Sequence, residues 1–215
     1  MKIGSVSWIK RGTYLENAKA LERYVDFVEL LIFSWDSDLK RQLTEQLDGL
    51  RKLDVFYTVH LPADTIENCR KAYSFFRKAD LPVKNFTLHP LTGWEDFIKD
   101  KNDVALENLI DNCPVFERMA IDIGHLKISG KEELVLGSAK LQSVKELHLH
   151  GVISGKDHST LNKQTIKYVH ELTKRHRVLE KAFGRKDFLV NFEIFDFPKL
   201  LVSLKRFKSY EFAKN

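Results

Sequence analysis

The sequence predicts an α/β protein: one compact (β/α)8 TIM barrel spanning residues 1–215. Three observations point to it. Eight short runs rich in Val, Ile and Phe recur along the chain, each with the length of a strand. Stretches of helical period separate most of them, which is the signature of parallel β/α units. No GxGxxG loop follows the first run, which argues against an open dinucleotide-binding sheet. Barrels of this kind typically run to ~250 residues, so a chain of 215 must use short loops.

The eight strands are read in order as KIGSVSW, VDFVELLIF, VFYTVHL, NFTLHP, DVALENL, RMAIDIGHL, VKELHLHGV and FLVNFEIF. Apolar residues occupy both faces of these runs, as expected of strands covered on both sides. TYLENAKALERY gathers Leu15, Ala18, Leu21 and Tyr24 near one face of a helix; TIENCRKAYSFFRKA and LNKQTIKYVHELTKR behave alike, and FDFPKLLVSLKRFKSYEF closes the chain. No linker, repeat or low-complexity segment interrupts the pattern.

Hydrophobic content of 43% and charged content of 30% describe a soluble globular chain. No apolar run approaches the ~20 residues of a membrane span, and the N-terminus lacks a secretory pattern. Cys69 and Cys113 lie far apart and form no metal-type pair, which fits free thiols in a reducing cytoplasm. The net charge of +5 permits an anionic partner without demanding one. Lys205, Arg206 and Lys208 are read as a solvated helix face, and His170 and His176 as surface residues on and at the end of a helix.

The chemistry is written at the strand ends. His60 closes the third strand, His89 the fourth, Glu107 the fifth, Asp122 and His125 the sixth, His148 and His150 the seventh, and Glu193 the eighth; Asp157 and His158 sit in the loop after the seventh. In a β/α barrel these ends converge on one mouth. Imidazoles and carboxylates in such number would repel one another or hold protons without a cation, and they suit Zn, Mn or Fe(II). GVISG, with Gly151 and Gly155, is expected to turn the chain back and carry Asp157 and His158 to the mouth. His148 and His150, two apart, share one side of their strand. His148 is then the deep ligand, and His150 a rim residue that meets substrate or bonds a neighbouring carboxylate.

The ordered set VHLP, LHP, LEN, IDIGH, HLH, DH and FE resembles the endonuclease IV / xylose-isomerase-like barrel superfamily over nearly the whole chain. The endonuclease IV branch uses three metal ions. The resemblance implies that His60, His89 and Glu107 hold the first, and Glu107, Asp122, His148 and Glu193 the second, with Glu107 bridging. It gives the third to His125, Asp157 and His158. Asp157 and His158 are adjacent here, whereas that branch separates the pair by one residue. VHLP, GKDHSTL and FEIFDF are further similar to cobamide-remodelling phosphodiesterases, compact members that cleave the nucleotide-loop phosphodiester of corrinoid cofactors.

The leading expectation is therefore a phosphodiesterase using two to three divalent ions and metal-activated hydroxide, with Glu107, Glu193 and His150 in catalytic roles. A cobamide-like small phosphodiester is the preferred substrate. Duplex DNA with abasic sites is less favoured, because short loops and modest charge suit a duplex poorly. The main alternative is a sugar-phosphate isomerase or epimerase with Glu107 and Glu193 as the acid/base pair, which would leave His125 and His158 without a task. A non-catalytic ligand-binding barrel would show a degraded donor set, and this one is complete.

Overall fold

The computed structural model describes residues 1–210. Eight parallel strands close into a barrel: β1 (Lys2–Val6), β2 (Phe27–Leu31), β3 (Phe56–His60), β4 (Val83–Leu88), β5 (Val104–Glu107), β6 (Arg118–Asp122), β7 (Ser143–Leu149) and the final strand β10 (Leu189–Phe192). Between β7 and β10 the chain adds an antiparallel hairpin, β8 (Gly151–Ile153) and β9 (Lys156–Ser159). The barrel closes where β1 pairs with both β2 and β10.

The helices wrap the outside, and the longer ones begin on side-chain caps. α1 (Tyr14–Leu21) starts with a reciprocal capping box of Thr13 and Glu16. Asp36 caps α2 (Ser37–Arg51), Thr65 caps α3 (Ile66–Lys78), Asn162 caps α7 (Lys163–Arg175) and Asp196 caps α9 (Phe197–Lys208). Short α4 (Trp94–Ile98), α5 (Ile123–Ser129), α6 (Glu132–Leu136) and α8 (Arg177–Phe183) complete the shell. The β5–β6 link carries no helix. Of the closing helical stretch read from the sequence, Glu211 and Phe212 lie outside the described residues. Lys205, Arg206 and Lys208 are exposed in the last turns of α9, where cations complement the helix dipole.

Two expectations need correction. Only the outward face of the strands is apolar along most of its length; the inward face keeps apolar residues such as Phe27, Phe56 and Leu31 but turns polar toward the mouth. Residues such as Val28, Leu30, Val59, Leu88, Ile121, Leu149 and Phe192 belong to the buried apolar core. The opposite parity carries Glu29, Thr58, His60, Asn85, Thr87, Glu107, Asp122, Glu146, His148, Asn191 and Glu193, all buried. Toward the mouth the barrel's inner wall is polar because the candidate site residues occupy it. His176 is also no surface residue. It sits buried between α7 and α8, with Nε2 3.6 Å from Glu133 Oε1, whereas His170 is exposed. Cys69 is buried and Cys113 half-buried, both as free thiols.

Candidate metal centre

Strand register sets the inner wall. Asp122 lies opposite His148 on β6 and β7, and His148 lies opposite Asn191 on β7 and β10. Ala120 is the register partner of Glu107 and leaves that carboxylate room. Glu107 then becomes the hub. Its Oε2 faces His60 Nε2 at 3.1 Å and His89 Nε2 at 2.9 Å, while its Oε1 faces His148 Nδ1 at 2.9 Å. His148 Nδ1 also stands 3.2 Å from Glu193 Oε1. The two oxygens of one carboxylate thus address two different sets of donors.

A third set gathers at the outer edge. His125 Nε2 lies 3.7 Å and His158 Nε2 3.8 Å from Asp157 Oδ2. His158 also approaches Glu193, with Nδ1 3.8 Å from Oε2. The hairpin makes this possible. Ser154 and Gly155 both take positive φ at its two-residue turn, and a Cβ on Gly151 would stand 2.1 Å from the Thr160 carbonyl oxygen. His158 itself is held at φ +46, a conformation uncommon for a residue with a side chain.

All nine residues expected to hold metal therefore meet at one mouth, in three groups whose ligand atoms lie close together: His60, His89 and Glu107; Glu107, Asp122, His148 and Glu193; and His125, Asp157 and His158. Two placements differ from the sequence expectation. His125 lies not on the strand but in the first turn of α5, because Asp122 ends β6 and caps the helix, its Oδ1 accepting from the His125 amide at 2.7 Å. His150 is not at the rim. It is fully buried, and a Cβ on Gly124 would fall 1.9 Å from its ring. The His158 amide donates to His150 Nδ1 at 2.9 Å, which leaves the ring proton on Nε2, 3.1 Å from Asp122 Oδ2. His150 is thus placed to orient Asp122, and its ring also gathers with His158 and Glu193 beneath the mouth.

Three residues escaped the sequence reading. Asn108 pins Asp122 in place, accepting from its amide at 2.9 Å and donating to its carbonyl at 3.0 Å. Glu29 and Glu146 lie beneath His148, their Oε1 atoms 3.6 and 3.9 Å from its Nε2. Glu146 shares the parity of His148 and His150, and that alternation was its only signal. Asn191 donates to Glu29 at 2.6 Å, and Asn85 and Thr58 donate to Glu146.

The electrostatics show what so many buried charges cost. Burial pushes Glu29 up to about 8, aided by Glu146 and Glu107 and opposed by His148. Burial likewise raises Glu193 well above the carboxylate range. Burial opposes the ionised form of Glu107 as well, yet His148, His60 and His89 outweigh it and hold that group well below its ordinary value. Desolvation would lower His148, but Glu193, Glu29 and Glu107 carry it well above. His60 is lowered by burial and stays a neutral donor. His148 Nε2 and Glu29 Oε1 are buried without a hydrogen-bond partner. Imidazoles converging on shared carboxylates, with charges that burial penalises, fit divalent cations.

The mouth opens into a cavity of about 220 Å³ lined by Leu31, Ile32, Phe33, His60, Glu107, His125, His158, Glu193 and Phe195, among others. A larger groove of about 750 Å³ lies between α2 and α3, but the donors of the barrel mouth do not reach it. The enclosed chemistry, not the larger volume, marks the site.

Comparison with known proteins supports the architecture. The chain aligns with the crystal structure of a D-tagatose 3-epimerase-like protein at 15% identity and TM-score 0.66, covering 98% of this chain and 97% of that one. The chain shares its barrel fold. Weaker likenesses are to a D-psicose 3-epimerase crystallised with D-fructose, at 13% identity and TM-score 0.42, and to the D-psicose 3-epimerase of Clostridium cellulolyticum H10 with D-tagatose, at 16% and 0.42. Each covers 91% of this chain and 85% of the other. A leucine-rich repeat family profile matches only residues 96–114, which here run from α4 through β5 as one unit of the barrel. No curated protein matches the sequence. Among the described residues no helix is long and apolar enough to cross a membrane.

Proposed function

We propose that the protein is a metal-dependent phosphoesterase that hydrolyses a small phosphodiester, with a cobamide nucleotide loop as the leading natural candidate. The observation that carries this reading is the contiguity of three donor groups through Glu107 and the mouth. Hydrolysis at phosphorus must stabilise charge on several oxygens at once, and a row of cation sites suits that need. Bound divalent ions would supply Lewis acidity to the phosphoryl oxygens and acidify the attacking water.

The chain's own residues do the rest. His60, His89 and Glu107 would hold the inner ion, Glu107, Asp122, His148 and Glu193 the central one, and His125, Asp157 and His158 the outer one. Glu107 would be shared between the first two sets, because each of its oxygens faces one of them. His150 and Asn108 lock Asp122, and Glu29 and Glu146 stand behind His148, 3.6 and 3.9 Å from its Nε2, where carboxylates commonly back a metal-binding imidazole. Glu193 faces both His148 and His158 and is placed to pass a proton between water and leaving group. Leu31, Ile32 and Phe33 shield one wall of the cavity from bulk water.

A second reading is a sugar 3-epimerase or isomerase. It is favoured by the central four-residue group with its two glutamates, and by the fold neighbour described as D-tagatose 3-epimerase-like. It leaves the inner and outer groups without work.

The test is metal analysis of the reconstituted protein alongside two assays, hydrolysis of bis(4-nitrophenyl) phosphate or a cobamide, and epimerisation of a ketose. Two or three ions with phosphodiester hydrolysis support the proposal. A single ion with ketose turnover and no hydrolysis moves the second reading ahead.

A further inference from the structure

A cavity of about 220 Å³ has room for a phosphoester and little more; whole-ligand pockets usually measure ~300–1,000 Å³. Most of a larger substrate must therefore lie across the rim. The rim is aromatic. Trp8 follows β1, Phe33 follows β2 and Phe195 follows β10, and they are 48%, 50% and 41% exposed. Trp8 and Phe33 meet edge to face with centroids 4.7 Å apart. Phe33 and Phe195 both line the cavity, and the Phe195 ring stands 4.9 Å from that of His158.

These rings are held, not loose. Tyr14 donates to the Leu31 carbonyl at 3.0 Å and is hydrogen-bonded to Trp8. An indole N–H can only donate, so Trp8 gives its proton to the Tyr14 hydroxyl. Its polar edge is anchored while much of its surface stays open to solvent. The Ala63 amide donates to the Phe33 carbonyl at 3.3 Å, and the Phe197 amide to the Ile9 carbonyl at 3.1 Å, tying the loop that bears Phe195 to the loop that bears Trp8. That latter loop also exposes Lys10 and Arg11.

We infer that Trp8, Phe33 and Phe195 form a stacking platform for a planar heteroaromatic ring of nucleobase type, joined through a sugar to the phosphoester held in the mouth. This rests on the phosphoesterase reading and names its substrate class. Anchored open rings, adjoining cations and a phosphate-sized cavity occur together on one rim. A bare sugar phosphate would use the cavity and leave the aromatic rim uncovered.

The experiment is calorimetric titration of the metal-loaded full chain with adenosine 5′-monophosphate and with ribose 5-phosphate, which differ only in the base. Stacking of a base on an aromatic side chain is worth ~1–3 kcal/mol, or roughly 5- to 150-fold. The nucleotide should bind at least ~10-fold more tightly and quench tryptophan emission, since Trp35 is buried and Trp94 partly so. Trp8→Ala and Phe33→Ala should each shrink the preference several-fold, and Trp8→Phe should keep most of it. Equal affinities in the parent, or a preference untouched in the Trp8→Ala/Phe33→Ala double variant, would overturn the platform. A base preference in a protein without hydrolytic activity supports the platform while sinking the phosphoesterase reading. Hydrolysis without a base preference does the reverse.

Discussion

The lower and upper halves of the barrel interior are built from the same strands and the same residue parity, yet they obey opposite rules. Below, Phe27 and Phe56 stack at 5.2 Å, and Gly4 leaves the space that the Phe27 ring fills, since a Cβ there would stand 2.2 Å from it. Two residues further along β2 and β3 the column changes to Glu29 and Thr58, and His60 follows at the mouth. There, buried polar atoms such as Glu29 Oε1, Thr87 Oγ1, His148 Nε2 and Asn191 Oδ1 lack hydrogen-bond partners. Native interiors rarely leave such groups unpaired, and those that remain call for an explanation. The difference teaches that the lower plug supplies packing, while the upper half carries an electrostatic load that only function explains.

The sharpest way to break that division is Glu107→Gln. Losing the shared carboxylate charge removes a ligand from two groups at once, so most metal content and activity should go, the latter on the order of 10³-fold or more, as for loss of a central catalytic group. The barrel should stay folded, because the amide can still bond the neighbouring imidazoles. Elemental analysis and circular dichroism check this together. Full metal and full turnover would mean that Glu107 is not the hub.

His158→Ala sharpens the comparison within the mouth. The residue belongs to the outer group and is held by the hairpin, so its loss should remove one ion and leave the inner groups loaded. Phosphodiester hydrolysis should fall by roughly 10- to 100-fold, in the range of weakened metal sites. If the metal load and rate were both unchanged, the outer group would not be a metal site. His148→Ala, by contrast, should empty the centre.

At the other end, Gly4→Ala should act on stability alone. Overpacking against Phe27 costs about 1–3 kcal/mol, read as a lower melting temperature with metal stoichiometry intact. A variant that lost metal while keeping its melting temperature would show that the two halves are not separable.

How much of this was legible beforehand follows the same division. The barrel could be read because strand and helix periods alternate along the chain, and the nine candidate ligands because they sit at strand ends or, for Asp157 and His158, in the loop that follows the seventh strand. Glu29 could not. In VDFVELLIF it looks like one charged residue in an apolar run, and only closure of β1, β2 and β10 places it beside Asn191 and under His148. His150 was read at the rim, since two-residue spacing gives the side of a strand but not the hairpin that later folds over it. His125 moved from strand to helix because Asp122 serves as a cap as well as a strand end, and no local pattern distinguishes those uses.

The smallest expected effect concerns pH and Glu29. Its folded pKa, about 8, lies above the ordinary carboxylate value of 4.5. The folded chain therefore holds a proton that the unfolded chain releases between those two values. A group raised in this way contributes stability fully below the unfolded pKa and loses it as pH rises through the folded one. Glu193 and His148 are raised too and act with the same sign in their own ranges. The metal-free protein should thus lose melting temperature steadily from about pH 5 to pH 8. Glu29→Gln cannot ionise, so it should flatten part of that slope and melt higher than the parent at pH 8. Divalent metal should show the opposite trend. Ligands must shed protons to bind it, so the melting temperature gained on adding metal should grow with pH. Thermal melts of parent and Glu29→Gln at pH 5, 6.5 and 8, with chelator and with metal, measure all four slopes. Parallel slopes for the two metal-free proteins would show that the carboxyl beneath His148 does not carry the load assigned to it, and that the strain of the upper half lies with Glu193 and His148 alone.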